Sequence, residues 1–421
     1  MRRSPLASVA RHLAEQWAFR YTTAGKVLAT AIIVATSISS ASLNSLAYHL
    51  LCALCALTFT AYGVGRLMRP RLRVESILPR RAVAGTDVAG SLRLVNPSSW
   101  RSAYDVSAGL FGLPESLRQV STEAMIPELP PEEAARVPIT LRPLKRGIYP
   151  LPYARGYSSF PLGLFRIEAR STRPSTAHDG ALLVYPRFHH VTGIDVPTNS
   201  RYQPGGIALS SSVGESMEYI GNREYHPGDS PRHLDHRSWA RLGKPVVKEY
   251  QEEYYCRVGL VLDTYVPARQ AARPEGFPQL EAAISLAASV ADALARGEYI
   301  IDIFAAGSEL HVFRAGRATA HFENVLEILA GVDACRADPF VKVAPALADE
   351  LASISSVIYV LLDWDSSRER LVRAAVEANC AVKIFLVCDG PTSAPFTPVA
   401  AAHSARQYRP ETIRRGGIDV L

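Results

Sequence analysis

From Val27 to Gly65 the chain carries no formally charged residue. That one feature limits the fold more than any other. A single spanning helix needs about 20 apolar residues, so the run is too long for one and suits two. The polar stretch from Ser37 to Ser45, with Asn44 inside it, supplies a turn. The pattern predicts helices over roughly 25–43 and 46–66. A bilayer core offers no water to peptide groups, and helices satisfy their own backbone.

The flanks set the expected orientation. Arg2, Arg3, Arg11, Arg20 and Lys26 precede the run, and Arg66, Arg69, Arg71 and Arg73 follow it. A cleavable signal would show a short apolar region ending in a small-residue cleavage site, and that pattern does not occur here. Basic residues on both sides predict a multi-pass protein of the cell membrane, with N- and C-termini cytoplasmic.

The chain has 421 residues, 48% hydrophobic and 20% charged, which is enough for an anchor and folded domains. The net charge of +6 is concentrated around the anchor, so it reads as membrane orientation and not as a nucleic-acid footprint. Cys52 and Cys55 fall in the apolar run, and Cys256, Cys335, Cys380 and Cys388 stand singly. That usage predicts no disulfide framework and suits a reducing compartment.

Short alternating runs recur at 73–78, 88–95, 104–110, 136–141 and 148–155, separated by Pro and Gly. They predict a small β-sandwich over 71–200 that acts as a spacer. The apolar run Phe160–Arg166 is expected to pack against the following domain.

The most distinctive segment is 201–253, from Glu218 to Glu253 in particular. Pro227-Gly228 marks a tight turn. Around it Arg223, Arg232, Arg237 and Arg241 interleave with Glu224, Asp229 and Asp235. Guanidinium–carboxylate pairing can fix such a loop, and the same groups can form a docking surface or anion site. A hydrolase would instead use His226, His233, His236, Asp229 and Asp235, although their spacing fits no standard zinc motif.

The residues Arg223-Glu224-Tyr225, Pro227-Gly228-Asp229, Arg232, Asp235, Ala240-Arg241 and Lys248-Glu249-Tyr250 resemble the hallmark of the bacterial domain-of-unknown-function family 58. Upstream, Arg146–Tyr149, Pro161–Phe165 and Val184–Arg187 resemble that family's run-up. One position departs from the pattern: His236 stands where the family usually has tryptophan, with Trp239 nearby. The resemblance implies that Arg223, Tyr225, Gly228, Asp229, Arg232, Asp235 and Arg241 bind a partner or brace the segment.

Over 254–395, buried apolar runs at 256–262, 357–362 and 382–387 alternate with helical patterns at 280–296, 323–330 and 368–379. A hairpin is expected around Ala306-Gly307-Ser308. This order predicts a mostly parallel α/β sheet whose strand C-termini carry Asp263 and Asp363. It resembles a von Willebrand factor type A domain, whose Asp-x-Ser-x-Ser loop often holds Mg²⁺. Here the loop is Asp263-Thr264-Tyr265-Val266-Pro267. Both serines are replaced, so a degenerate site without a cofactor is expected, with Mg²⁺ at Asp263 as the alternative. Residues 396–421 read as a tail.

Together these readings describe an α+β multidomain protein. It has a two-helix transmembrane hairpin (1–70), a β-sandwich-like spacer, the signature segment, and an α/β von Willebrand factor A-like domain. The expected role is a non-enzymatic membrane scaffold or adaptor that binds a protein and no nucleic acid. The resemblance implies a MoxR-type AAA+ ATPase as partner. Metal-dependent protein binding through Asp263 and hydrolysis by 226–236 are the alternatives; no nucleophile elbow, P-loop or paired-Cys motif accompanies the latter.

Overall fold

A computed structural model describes residues 19–40, 46–120, 124–171, 181–196, 213–227, 229, 231–251, 257–297, 299–306, 310–314, 321–396 and 404–421. The chain divides into two compact units, one ending at Val184 and the other starting at Tyr185.

In the first unit, α1 (Thr23–Ser39) lies against α2 (Leu46–Leu67). The Thr22 hydroxyl caps α1 by accepting the Gly25 N–H at 3.0 Å. Among the described residues, α2 is the one helix long and apolar enough to cross a membrane, with 22 residues and a mean hydropathy of 1.6. Two such helices were expected. Helix α1 stops at Ser39, where serines begin to crowd the sequence, and has 17 residues. At 1.5 Å per residue it is about 26 Å long, short of a hydrocarbon core of roughly 30 Å.

The strands of this unit are β1 (Arg71–Ile77), β2 (Arg81–Val83), β3 (Val88–Val95), β4 (Ala103–Leu110), β5 (Leu117–Gln119) and β6 (Ile126–Leu129). They continue with β7 (Ala134–Pro143), β8 (Gly147–Tyr149), β9 (Ala154–Ser158), β10 (Ile167–Glu168), β11 (Arg170–Ser171) and β12 (Leu182–Tyr185). Three sheets result, ordered β11-β1-β3-β7-β5, β10-β9-β4-β6 and β2-β12-β8. Alternation dictates which residues face inward. In β3, Val88, Leu92 and Leu94 are buried while Ala89 and Arg93 are exposed. Leu72, Val74, Leu92 and Leu94 of the first sheet share one core with Val106, Ala108 and Leu110 of the second. The run 148–155, expected as one strand, is split into β8 and β9. Pro150 and Pro152 lie between them and have no N–H to give to a ladder.

The run Phe160–Arg166 packs inside its own unit, against the helices and the residues that precede them. The Thr22 hydroxyl donates to Gly163 O at 2.6 Å, and Tyr21 pairs with Phe165 in an isolated bridge. Two glycines permit the approach. A Cβ on Gly25 would sit 2.1 Å from Leu164 O, and one on Gly65 would sit 2.3 Å from Ile167 Cδ1.

The second unit contains the hairpin of β13 (Val213–Glu224) and β14 (Val246–Gln251), with α3 (His236–Leu242) between them. It also holds a six-stranded sheet built from β15 (Arg257–Leu262), β16 (Ile300–Ala306), β17 (Leu310–Arg314), β18 (Ser356–Leu361), β19 (Ala381–Val387) and β20 (Ser404–Tyr408). Its order is β17-β16-β15-β18-β19-β20, parallel except for β17. The helices are α4 (Pro278–Arg296), α5 (His321–Gly331), α6 (Phe340–Glu350), α7 (Ser366–Glu377) and α8 (Pro410–Arg415).

Strands β18 and β19 are buried at every residue, because both faces are covered. Leu260, Ile358, Val360 and Phe385 face a core shared with α4 and α5, while Val261, Val357, Tyr359 and Ile384 face one shared with α6 and α7. Residues 404–421 are part of this layer and not a tail, since β20 pairs with β19 and α8 packs on α4. Strand β20 has a half-exposed, polar edge sequence, which hides it from a search for apolar runs. Helix α6 also escapes such a search because Pro345 lies inside it, yet Phe340, Val343 and Leu347 bury one face. Asp292 of α4 is buried; it pairs with Arg296 at 2.9 Å and lies 2.8 Å from His190 Nδ1.

Candidate functional site

The signature segment folds as a braced hairpin. The antiparallel register sets Arg223 opposite Val247 and Glu224 opposite Val246, and Val246 and Val247 are buried. At the end of β13, Arg223 forms a two-pronged pair with Asp229, both N–O distances being 2.7 Å. Asp229 Oδ2 also accepts the His226 N–H at 2.8 Å. The Arg223 guanidinium, followed by the His226 amide, holds the Asp229 carboxyl well below the usual carboxylate range. The Tyr225 N–H donates to Pro245 O at 3.0 Å, closing the base of the loop. Gly228 lies outside the described residues.

Asp235 performs a second bracing task as the N-cap of α3. Its Oδ1 accepts the N–H groups of Arg237 and Ser238 at 3.1 and 3.3 Å. Its Oδ2 accepts the Ser238 hydroxyl at 2.6 Å and Asn222 Nδ2 at 2.9 Å. The Ser238 hydroxyl first, then Asn222 and the backbone donors, pull this carboxyl far down as well. Asn222 and Ser238 carry no charge, so the charge pattern that marks Asp235 does not mark these two partners. Asp235 is itself a residue type favoured at the N-cap, and that is the local signal of a helix start at His236. His236 stacks on Trp239 within α3, with ring centroids 6.1 Å apart.

Helix α3 buries none of its seven residues. Arg232, Arg237, Arg241 and Lys244 are exposed, and so are Trp239 at 40% and Leu242 at 58%. Lys244 meets Glu224 at 3.2 Å across the surface, whereas no acid pairs with Arg232, Arg237 or Arg241 among the described residues. The hairpin therefore spends Arg223, Asp229 and Asp235 on its own shape and presents cations and two large apolar groups outward. The carboxylates proposed for hydrolysis are the ones consumed in bracing. Among the described residues no group of three or more His, Cys, Asp or Glu side chains is arranged to hold a metal.

At the strand C-termini of the six-stranded sheet, Asp263 is fully buried. Its Oδ1 accepts Tyr265 N–H and its Oδ2 accepts Leu362 N–H, each at 3.0 Å. The guanidinium of Arg368, on α7, completes the shell, with Nε 2.8 Å and Nη2 2.7 Å from Oδ2. Burial pushes the Asp263 carboxyl up, and Arg368 and the two backbone donors oppose that push. Burial pulls on Arg368 in turn, but Asp263 and then Asp365 hold it above its ordinary value. The donor set does not fit Mg²⁺: Tyr265 and Pro267 supply no short hydroxyl, and an internal cation already neutralises the carboxylate. Asp363 is likewise engaged, by the N–H groups of Trp364 and Ser393, each at 2.8 Å, and by the Ser393 hydroxyl.

Fold and site define a two-unit protein in which an α/β layer is preceded by an arginine-rich, internally braced hairpin. A family model described as "Protein of unknown function DUF58" matches residues 221–363, from within β13 to Asp363, the second residue past β18, so this stretch of the chain is similar to that family. It is 24% identical over 168 residues to the uncharacterized protein YeaD of Bacillus subtilis (strain 168). That match spans 39% of this chain and 39% of the relative's length. Among solved structures, the GH20 exo-β-N-acetylglucosaminidase of Vibrio harveyi in complex with N-acetylglucosamine aligns over 76% of this chain and 57% of that one, at 10% identity and a TM-score of 0.18. An inactive mutant of the same enzyme aligns at 9% identity and the same score. Neither alignment carries an argument about fold or activity.

Proposed function

We propose that this chain is a non-enzymatic, membrane-anchored adaptor whose arginine-rich hairpin binds a protein partner, a MoxR-type AAA+ ATPase. One observation carries the reading: α3 offers Arg237, Arg241, Trp239 and Leu242 to solvent while Asp229 and Asp235 are used up in holding the loop rigid. Arginine and tryptophan are enriched among the residues that dominate protein interfaces, and a loop already braced by its own ion pair and cap has less to order on binding. A catalytic carboxylate would have to face substrate, and these face their own backbone.

The anchor belongs to the same proposal. Helix α2 has one tenth of its apolar window buried, which is unlike the core helix of a water-soluble protein. The side-by-side arrangement of α1 and α2 supports a two-helix hairpin, with α1 reaching the interface through its flanking polar residues. The arginines after α2 support a cytoplasmic, inner-membrane orientation for both termini. The shared core of the two larger sheets supports a β-sandwich-like spacer. The strand order, with one antiparallel edge strand, supports the von Willebrand factor A-like reading of the second unit.

The test is recovery of a MoxR-type ATPase with the full-length, detergent-solubilised protein. Recovery is expected from wild type and is lost in the Arg232→Glu/Arg241→Glu variant, while Arg93→Glu, in β3, retains it. Equal recovery by all three, or by none, refutes the assignment.

A further inference from the structure

A cavity of about 590 Å³ lies in the first unit, where the C-terminal end of α2 meets residues 19–21 and the segment 165–168. Four arginines line it, namely Arg20, Arg66, Arg69 and Arg166, against a single carboxylate, that of Glu168. Arg20 and Arg66 are exposed, and no acid pairs with either among the described residues. Arg69 is oriented by its bond from Nε to Glu168 O at 2.6 Å, and Arg166 by its bond to Phe19 O at 3.3 Å. Burial first, then the neighbouring Arg66 and Arg170, depress the Arg69 pKa, with Glu168 opposing them. Like charges held this close are relieved by an anion.

The rest of the lining is aromatic. The Phe165 ring lies edge-on to Tyr62 at 5.8 Å and to Tyr21 at 5.4 Å, so the wall is stiff. Phe59, one turn further into α2, also lines the cavity and is 85% exposed. The cavity is thus polar and cationic at one end and opens onto the apolar side of the helix at the other.

We propose that this cavity binds a phosphate group, and that its source is the headgroup of an anionic phospholipid. The inference rests on α2 spanning the membrane. The arginines at its C-terminal end then stand at the inner-leaflet surface, where anionic lipids concentrate. Guanidinium groups bind phosphate oxygens in a planar, two-pronged manner, and the exposed face around Phe59 accepts the acyl chain.

The experiment uses the full-length protein in phosphatidylcholine vesicles, with trace spin-labelled phosphatidylglycerol or phosphatidylcholine as the probe. Electron spin resonance gives the relative association of each lipid with the protein. Wild type is expected to prefer phosphatidylglycerol. Arg20→Gln and Arg66→Gln should each lower that preference about fivefold, the effect of one cation near the surface. Arg73→Gln removes the same charge from β1, outside the cavity, and should change it less than about twofold, which separates a built site from diffuse attraction. Equal association of the two lipids in wild type, or an equal loss in all three variants, overturns the proposal. Displacement of the labelled lipid by inorganic phosphate at about 10 mM would make the free ion the ligand and overturn the lipid source. Carbonate washing of the same vesicles separates the two levels of the argument. Release of the chain sinks the anchor and this inference with it, while retention without lipid preference sinks the cavity alone.

Discussion

Replacing Arg368 with methionine removes the guanidinium that neutralises Asp263 and keeps most of the apolar stem. The carboxylate is fully buried and Arg368 is 4% exposed, so water cannot take the place of the lost charge. Only the two N–H groups at 3.0 Å remain on Asp263. Breaking a buried pair from one side costs about 3–5 kcal/mol, because an unpaired ion is left in a low-dielectric site. Loss of the stacking of Arg368 on Phe340, at 5.2 Å, adds to it. The double change Asp263→Asn/Arg368→Met removes both charges and should cost clearly less than the sum of the single changes. Urea unfolding of the full-length protein in detergent, followed by tryptophan emission, reads the effect. Trp364 is 2% exposed whereas Trp100 is 79% and Trp239 is 40% exposed, so among the described tryptophans the emission shift reports this unit. With a slope of about 3 kcal/mol/M the midpoint should fall by roughly 1–2 M. A fall below about 0.3 M, or strict additivity in the double variant, would refute the account of Arg368 as the internal cation.

Four further outcomes follow from the same structure. Magnesium at about 10 mM should leave the wild-type midpoint unchanged, since a ligand that binds the folded state must stabilise it; a clear upward shift would restore the metal reading of Asp263. Asp229 and Asp235 have depressed pKa values, so the stability they lend the hairpin is present above the unfolded carboxylate value of about 4 and is lost as pH falls below it. Protection of the Arg237 and Ser238 amides, taken relative to their intrinsic exchange rates, should accordingly fall below about pH 4 in wild type, and in Asp235→Ala it should be low already at neutral pH. Gly65→Val should lower stability by about 1–3 kcal/mol, because its side chain meets Ile167 and Phe160 O, and limited proteolysis should then cut within 160–168. His226→Ala and His233→Ala should both retain the ATPase in pull-downs that Arg232→Ala loses; the opposite pattern would favour the hydrolase.

The alternation of buried strands with amphipathic helices was legible in β15, β18, β19, α4 and α7, since burial on two faces demands continuous apolar runs and burial on one face demands a 3.6-residue period. Elements without that signature escaped, as with the polar edge strand β20 and the proline-bearing α6. The signature residues were legible as a group, but not their separate duties. Asp229 and Asp235 look alike in sequence, yet one clamps Arg223 and the other caps α3 with help from Asn222.

By itself, the sequence determined that the uncharged stretch from Val27 to Gly65 holds two apolar helical segments on either side of a polar, serine-bearing one, and that an α/β layer follows a turn-rich, arginine-bearing segment. Those properties depend on composition and on short-range periodicity, which any window of the chain carries with it. Tertiary structure alone decided that Arg368 answers Asp263 across 105 positions, and that Gly65 lets Ile167 reach α2. It also gathered Arg20, Arg66 and Arg166 around one cavity. Such partnerships depend on which chain ends the sheet order and helix packing bring within a few ångströms, and no local pattern encodes that distance.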